Sequence, residues 1–209
     1  MLNNKCKICR RLGVKLFLKG EKCSSPKCPM IRRPYPPGPK RKRRRKTFSE
    51  YGKELREKQK LRNFYNLRET QLRKYVKEIL KKGGKTKDPT ALLIEKLEVR
   101  FDNVVFRLGF ANSHIQARQL ISHKHFLING KPVNIPSYSL KKDDKISIKS
   151  QKRKKAIFQK LPTLLKKKQL PSWLKIDKEK LEGEVIGVPL IEEVAPFAEI
   201  SAIFEFYSR

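Results

Sequence analysis

Apolar residues between positions 47 and 98 recur at helical spacing, which predicts three consecutive helices. Thr47 and Glu50 have the spacing of a capping box, so the first helix is expected to run from there to about residue 63. The second is expected over residues 66–82, and the third over 88–98, where Asp88-Pro89 provides an N-cap and a first-turn proline. One apolar stripe of the second helix holds Leu72, Tyr75, Val76, Ile79 and Leu80.

Beyond residue 100 the pattern changes to two short helices followed by strands. Phe101–Leu108 is helical in spacing and ends at Gly109, and Ser113 is placed to cap the next helix. The dipeptide Asn129-Gly130 lies between two apolar runs and is typical of a two-residue hairpin turn. Further strands are predicted at Lys145–Lys149, Trp173–Asp177 and Glu184–Val188, and the lysine runs at 152–155 and 166–168 are expected in loops.

The charge distribution indicates a polyanionic partner. The chain of 209 residues has a formal net charge of +32, with 17 basic and 1 acidic residue within positions 1–47. Residues 48–170 add about +20, whereas residues 171–209 hold 4 basic and 8 acidic residues. This balance favours nucleic acid over a membrane, because no apolar run approaches the ~20 residues of a membrane span. The acidic tail is expected to pack within the protein or to meet a basic protein neighbour.

All four cysteines lie in the first 30 residues, as the pairs Cys6/Cys9 and Cys23/Cys28. No apolar leader is visible, so we expect a reducing, cytoplasmic location, where metal ligation is favoured over disulfides. Two such pairs can hold one structural zinc ion tetrahedrally, and the neighbouring cations are expected to lower the thiol pKa values. The alternatives are an iron–sulfur or redox role, and unliganded thiols or disulfides.

Three segments after residue 100 carry a family resemblance: Phe101–Ser113, Ala117–His123 and Phe126–Gly130. They resemble the helix–turn–hairpin RNA-binding module of the fourth small-subunit ribosomal protein, a module also found in some pseudouridine synthases and in a tyrosyl-tRNA synthetase appendage. The cysteine pattern and further motifs extend the resemblance to the bacterial ribosomal protein over almost the whole chain. Those motifs are Arg32–Gly38, Ser49–Gly52, Leu55–Lys60 and Glu205–Arg209.

The resemblance implies an α+β fold with a zinc-bound N-terminal segment, a helical domain and an inserted RNA-binding domain of helices packed on a small antiparallel sheet. The expected divisions are a basic zinc-binding extension over 1–46, a helical domain over 47–97 completed by 190–209, and the RNA-binding domain over 98–189.

The resemblance also implies a function and partners. Members of this family bind 16S rRNA directly at a multi-helix junction in its 5′ domain and nucleate assembly of the small-subunit body. They contribute to translational accuracy together with the fifth small-subunit protein, contact other body proteins and lie near the point where mRNA enters. Neither a membrane nor a small-molecule substrate is expected.

The candidate RNA-binding residues are basic, polar or aromatic positions in the matched motifs and the cationic run. In the N-terminal half they are Arg32, Arg33, Tyr35, Lys40, Arg41, Arg43, Arg44, Arg45, Tyr51, Lys53, Arg56 and Lys60. In the recognition helices and hairpin they are Arg107, Ser113, Arg118, Gln119, His123, Lys124, His125, Asn129 and Lys131. Cations and helix N-termini can meet phosphates, and near-neutral histidines can donate hydrogen bonds to them.

Three positions depart from the family pattern. Lys124 and Asn66 stand where glycine is usual, and a left-handed backbone at Lys124 is expected to cost about 1 kcal/mol. His114 replaces a usual arginine, which is expected to weaken one phosphate contact.

No enzyme is indicated by the sequence. It holds no Gly-rich phosphate loop, no nucleophile elbow and no His-Glu-x-x-His helix, and Asp143-Asp144 is typical of a turn. The rival interpretations are a zinc-ribbon transcription factor that reads duplex DNA and an RNA-modifying enzyme. Charge spread over the N-terminal two-thirds favours multipoint phosphate binding over groove reading by a single helix.

Overall fold

The computed structural model describes residues 4–38, 48–81, 88–153, 155–159, 161, 165, 169–177, 179–194 and 198–209. The chain divides into two compact units: unit 1 comprises residues 1–90 and 196–209, and unit 2 comprises residues 91–195. Unit 1 is helical, and unit 2 combines helices with an antiparallel sheet, which confirms the predicted α+β class. Within the described ranges, no helix has the length and apolar character needed to cross a membrane.

Unit 1 begins with three short helices around the cysteines and continues with two longer ones. The short helices are α1 (Asn4–Leu12), α2 (Glu21–Ser24) and α3 (Pro29–Arg32). The long ones are α4 (Glu50–Phe64) and α5 (Glu69–Lys81), and α6 (Pro89–Glu98) runs from this unit into the next. The unit closes with the C-terminal helix, α12 (Ile200–Ser208).

The starts of these helices follow local capping chemistry. Ser49 caps α4, since its Oγ accepts a hydrogen bond from the Gly52 amide at 3.3 Å, whereas the predicted cap Thr47 lies outside the described residues. Helix α5 begins three residues later than predicted, because Asn66 adopts a left-handed φ of 52° and cannot continue a helix. Asp88 caps α6 as predicted, with its Oδ1 3.1 Å from the Thr90 amide.

The C-terminal helix completes the helical core of unit 1. It packs mainly against α4 and also against α5. The buried apolar side chains of the three helices include Leu61, Phe64, Leu72, Val76 and Ile203. Leu80 was predicted on the same stripe but is 42% exposed, because it lies at the last turn of α5.

A polar cluster joins the same three helices. The ammonium of Lys58, on α4, lies 2.7 Å from Glu69 Oε1 and 4.0 Å from the centroid of the Phe206 ring. The hydroxyl of Tyr207 donates to the same carboxylate at 2.7 Å. Burial raises the pKa of Glu69, but the hydrogen bonds from Lys58 and Tyr207 outweigh it and lower this pKa overall.

The two short helices of unit 2 form as predicted. Helix α7 (Phe101–Leu108) ends at Gly109, whose left-handed φ of 91° closes the helix. Helix α8 (His114–Ser122) is capped by Ser113, whose Oγ accepts from the Gln116 amide at 3.3 Å.

Five short strands form one antiparallel sheet in the order β2-β1-β3-β5-β4. They are β1 (Phe126–Ile128), β2 (Lys131–Pro132), β3 (Lys145–Ile148), β4 (Leu174–Asp177) and β5 (Glu182–Val185). The Asn129-Gly130 hairpin turn is confirmed, with φ values of 48° and 79°. Helices α7 and α8 belong to the same core, which includes Phe101, Val104, Leu120, Phe126 and Ile146.

Two predictions for the later part of unit 2 are wrong in position. Strand β5 covers 182–185 rather than 184–188, because Gly183 breaks the apolar alternation although it pairs with Ile146 and Ile176. Lys152 and Arg153 were expected in a loop but lie in α9 (Ser150–Arg153), which precedes α10 (Ala156–Gln159). The lysine run at 166–168, also expected in a loop, lies outside the described residues. The last short helix of the unit is α11 (Ile191–Val194).

Candidate nucleic-acid interface

Several predicted RNA-binding residues of unit 1 are exposed on the surface. Arg32, Arg33 and Lys53 are exposed, as is Tyr51, whose ring stacks at 5.4 Å on Phe206. The cationic run and its predicted contacts lie outside the described residues: Lys40, Arg41, Arg43, Arg44 and Arg45.

Tyr35 is exposed beside a cation. The guanidinium carbon of Arg10 lies 5.0 Å from the centroid of the Tyr35 ring, and Arg10 Nε donates to the Tyr35 carbonyl at 2.9 Å. Such a pair presents an aromatic face with positive charge next to it, which suits a nucleic-acid base or phosphate.

Two other predicted contacts on α4 have partners within the protein. Arg56 donates from Nε and Nη2 to the Leu12 carbonyl at 3.2 Å and 2.6 Å, which ties α4 to the end of α1. Lys60 pairs with Glu57 at 2.5 Å. The structure therefore gives Arg56 and Lys60 internal roles, and their predicted RNA contacts stay predictions.

A buried polar network holds the recognition helices of unit 2 together. The Glu98 carboxylate, which is fully buried, accepts from Arg107 Nε and Nη2 at 3.0 Å and 2.8 Å. Asn103 Nδ2 donates to the same carboxylate at 2.7 Å, while its Oδ1 lies 2.9 Å from His114 Nε2. The network fixes Arg107 on one helix relative to the start of α8, so the predicted contact Arg107 is oriented by an internal carboxylate.

His114 lies in the interior of unit 2. It is 6% exposed and its ring lies 4.1 Å from that of Phe106. Its hydrogen bond to Asn103 indicates that Nε2 carries the proton, because the Asn103 amide nitrogen is already directed at Glu98. The substitution at His114 thus acts on helix packing in this structure rather than on an exposed phosphate contact.

The two predicted histidine contacts differ in position. His123 is exposed, whereas His125 is 3% exposed and packs against Phe158 with ring centroids 5.6 Å apart. In the described part of the chain, its buried Nδ1 has no hydrogen-bond partner. Burial, with the nearby charges of Lys155 and Lys152, lowers the pKa of His125. Its ring is therefore not presented to a ligand, and a phosphate contact from it stays a prediction.

The other predicted contacts of unit 2 surround the end of α8 and the hairpin. Gln119, Lys124, Asn129 and Lys131 are exposed, Arg118 is half-buried, and Ser113 is buried as the cap of α8. Asn129 is held in place, because its Nδ2 donates to Asp144 at 2.8 Å and its Oδ1 accepts from the Lys145 amide at 2.9 Å. The structure therefore exposes polar and basic side chains both at the end of α8 and at the hairpin, and we refer to these positions as the exposed row.

The four cysteines line one small cavity of unit 1. Cys9, Cys23 and Cys28 are buried, and the Cys23 sulfur accepts a hydrogen bond from the Lys19 amide at 3.4 Å. Among the described residues, however, no three or more His, Cys, Asp or Glu side chains are grouped so as to hold a metal ion. The donor set is thus that of a four-thiolate site, although the sulfur atoms do not form a ligand cage.

The prediction that neighbouring cations lower the thiol pKa values is wrong for two of the cysteines. Burial is the main cause that raises the pKa of Cys9 and of Cys23, and repulsion from the other thiolates raises both further. The amides of Leu16 and Lys19 act in the opposite direction, as does Lys15 on Cys23, without outweighing burial.

The sequence did not reveal the residues that position the candidate contacts. Glu98 and Asn103 orient Arg107, and Leu12 supplies the carbonyl that holds Arg56. In sequence, Glu98 and Asn103 look like ordinary polar residues, which usually lie in contact with solvent. Only their burial and their shared hydrogen bonds in the folded protein distinguish Glu98 and Asn103.

Comparison with known proteins gives matches over nearly all of the chain. Residues 1–98 match the family model for the ribosomal protein S4/S9 N-terminal domain, and residues 99–146 match the model for the S4 domain. The small ribosomal subunit protein uS4 of Thermotoga petrophila is 42% identical over 205 residues, covering 98% of this chain and 96% of that protein. The uS4 proteins of Caldicellulosiruptor bescii and Thermus thermophilus are 45% and 43% identical over 204 residues, with the same coverage.

Proposed function

The chain belongs to the uS4 family of small-subunit ribosomal proteins, and we propose that it is a primary binder of 16S rRNA. This membership makes it a structural constituent of the small ribosomal subunit that binds rRNA, not an enzyme. A small-subunit ribosomal protein works in the cytoplasmic ribosome, which agrees with the location expected from the sequence.

The observation that carries the proposal is the exposed row at the end of α8 and the hairpin. Gln119, His123, Lys124, Asn129 and Lys131 are exposed there, and the Asn129 side chain is fixed by two hydrogen bonds. Fixed polar groups and cations suit the phosphates and 2′-hydroxyls of structured RNA. We propose that this row binds a multi-helix junction in the 5′ domain and that binding nucleates assembly of the subunit body.

Ribosome fractionation tests the proposal directly. The protein should sediment with small subunits and their assembly intermediates at low salt, because its contacts are largely electrostatic. A protein found only in the free pool under those conditions would contradict the proposal.

We propose further that the four cysteines bind one zinc ion. Three buried thiols around one cavity and an amide hydrogen bond to Cys23 support this, and zinc would neutralise the repulsion between the thiolates. Binding would stabilise residues 4–38 and, through the Arg56 contact with Leu12, hold them against α4. An iron–sulfur cluster is the alternative.

Metal analysis and chelation test the zinc site. We expect about one zinc per chain, and faster amide hydrogen exchange of residues 4–38 once a chelator removes it. Helices α7 and α8 serve as the internal control and should exchange as before. Purified protein with no bound metal and unchanged exchange would contradict the proposal, and visible absorbance with bound iron would favour the cluster.

The acidic C-terminal region is proposed to face the fifth small-subunit protein and to influence decoding accuracy near the point where mRNA enters. The support is electrostatic: residues 171–209 carry 8 acidic and 4 basic residues in an otherwise cationic chain. Glu179 and Glu205 are exposed. Changing both to Gln should weaken binding to that protein, whereas Glu50→Gln should not. Unchanged assembly and fidelity in the double variant would remove this part of the proposal.

A further inference from the structure

A second cationic segment of unit 2 lies outside the predicted RNA-binding set. Between Asp144 and Asp177 the sequence holds 11 basic residues and no acidic one. Its described part includes β3, the two short helices α9 and α10, and β4. The segment therefore adds concentrated positive charge to the same unit as the recognition helices.

The segment is a packed element of the fold. Phe158, Leu161 and Leu165 are at most 3% exposed and belong to the core of unit 2. The Phe158 ring lies 5.6 Å from that of His125 and 6.2 Å from that of Phe126, so it covers the start of β1. In contrast, Arg153 and Lys155 are exposed and Lys152 is half-buried. Apolar anchors thus hold the described part of the segment in the core, while Arg153 and Lys155 lie on the surface.

The packing brings this segment to the end of α8. The Lys149 amide donates to the His125 carbonyl at 3.0 Å, and the His123 and His125 rings lie 6.2 Å apart. The Lys152 amide donates to the Lys149 carbonyl at 2.8 Å and the Lys155 amide to the Lys152 carbonyl at 3.1 Å, so these three lysines follow one another closely from the contact with His125. The resulting surface, which we term the lateral patch, contains His123, Lys124, Lys149, Lys152 and Lys155.

The lysines of the lateral patch have no acidic partner among the residues that the structure describes. In the described ranges no carboxylate forms an ion pair with its lysines, whereas Lys145 nearby lies 3.9 Å from Glu184. Like charges in a cluster repel one another, and a polyanion lying against the cluster relieves that repulsion. The ligand it fits is therefore a run of phosphates.

We propose that the lateral patch binds the sugar–phosphate backbone of a helical segment of rRNA, in addition to the contacts of the recognition helices and hairpin. The proposal rests on the proposed function, because it assigns a further surface to the same RNA partner. A helical partner is favoured over an unstacked single strand because the segment offers no aromatic platform for bases. Its only Phe, Tyr or Trp residues, Phe158 and Trp173, are 2% and 3% exposed.

The test is the salt dependence of binding to a 5′-domain rRNA transcript. We expect Lys152→Gln with Lys155→Gln to weaken binding about tenfold and to reduce the slope of log K against log salt by about 1 to 2. Lys152 lies in α9 and Lys155 lies in the turn between α9 and α10, so the fold should tolerate both changes. Thermal unfolding of the variant verifies this.

The matched control removes two lysines of unit 2 that lie among acids. Lys175 and Lys180 line a surface cavity together with Asp177, Glu182 and Glu184. Lys175→Gln with Lys180→Gln should leave both affinity and salt slope as in the unaltered protein. An equal loss in both double variants, or no loss in either, would overturn the lateral patch.

A helical RNA competitor separates the patch from general charge effects. A duplex RNA competitor should displace more transcript from the unaltered protein than oligouridine does. This difference between the two competitors should shrink for the Lys152/Lys155 variant. Retention of the full difference by the variant would also overturn the patch. Failure of the proposed function looks different: the unaltered protein itself would then show no preference for the transcript.

Discussion

At Lys124 the backbone has a left-handed φ of 56°, which is unfavourable for any residue with a β-carbon. The left-handed backbone expected at this position is confirmed, and its cost of about 1 kcal/mol stays a prediction. The exposed Lys124 side chain follows His123 in the row that we propose binds RNA, so the left-handed backbone coexists with an added cation.

Glycine at position 124 should therefore stabilise the protein but weaken RNA binding. Lys124→Gly is expected to be about 1 kcal/mol more stable than Lys124→Ala, because both remove the charge and only glycine removes the strain. Chemical denaturation of the two variants measures the difference. Equal stabilities would show that the surrounding turn adapts to a side chain here.

Gly183 is required by packing rather than by backbone freedom. A β-carbon at this position of β5 would lie 2.4 Å from Leu108 Cδ1, far inside van der Waals contact. Gly183→Ala should cost about 1–3 kcal/mol through overpacking of α7 against the sheet. The control is Gly187→Ala, whose nearest neighbour is 3.9 Å away and whose effect should stay within about 0.5 kcal/mol. Similar unfolding midpoints for the two variants would contradict this packing.

At the scale of elements, the C-terminal helix is held to α4 and α5 by one shared carboxylate. Glu69 accepts from Lys58 and from Tyr207 at 2.7 Å each, and Arg209 pairs with Glu54 at 2.8 Å. The helical core thus combines α4 and α5 with a helix more than 100 residues later in the sequence. It can form completely only once residues 200–208 are present.

Because of the Glu69 carboxylate, we expect the stability of the folded protein to fall at acidic pH. The pKa of Glu69 is lowered in the folded state, so its contribution is fully present above the unfolded value, about 4.3, and is lost as pH falls through the folded pKa. Glu69→Gln should lower the melting temperature at neutral pH, and the difference from the unaltered protein should shrink below about pH 4.3. The exposed change Glu205→Gln should give no such trend. A difference for Glu69→Gln that is independent of pH would contradict the pairing.

Elements with local signals could be predicted from the sequence. Ser113, Gly109 and Asn129-Gly130 each act within a few residues, and α7, α8 and the hairpin begin and end close to where these residues place them. The start of β5 was missed because Gly183 breaks the local apolar alternation. Its lack of a side chain is explained only by its closeness to Leu108, which is distant in sequence. The helices α9 and α10 were missed because both are only four residues long and basic residues lie in α9 and just before α10. Their one core residue, Phe158, packs against elements that are distant in sequence.

The candidate site was predictable in composition but only partly in geometry. Residue type identified Lys124, Asn129 and Lys131 as surface contacts, and the structure exposes them. The same reasoning could not foresee that His125 would be covered by Phe158 or that Arg56 would be held by the Leu12 carbonyl. Both outcomes depend on segments more than 30 residues away in sequence, which residue type and spacing do not encode.

For the whole molecule, the net charge of +32 is the dominant property. Many cations spread over both units should release many counterions from RNA, so the affinity should fall steeply as salt rises. Charge alone would bind any RNA. We expect preference for rRNA to come from the exposed row at α8 and the hairpin, where Asn129 is held by two hydrogen bonds that do not depend on salt.

Competition between two RNAs at physiological potassium is the measurement that tests this account most directly. Labelled 5′-domain rRNA is bound to the protein and challenged with unlabelled transcript or with unrelated RNA of equal length. The matching transcript should displace the label at much lower concentration than the unrelated RNA, and this difference should widen as potassium rises. Equal displacement by both RNAs would contradict specific recognition of rRNA by this protein.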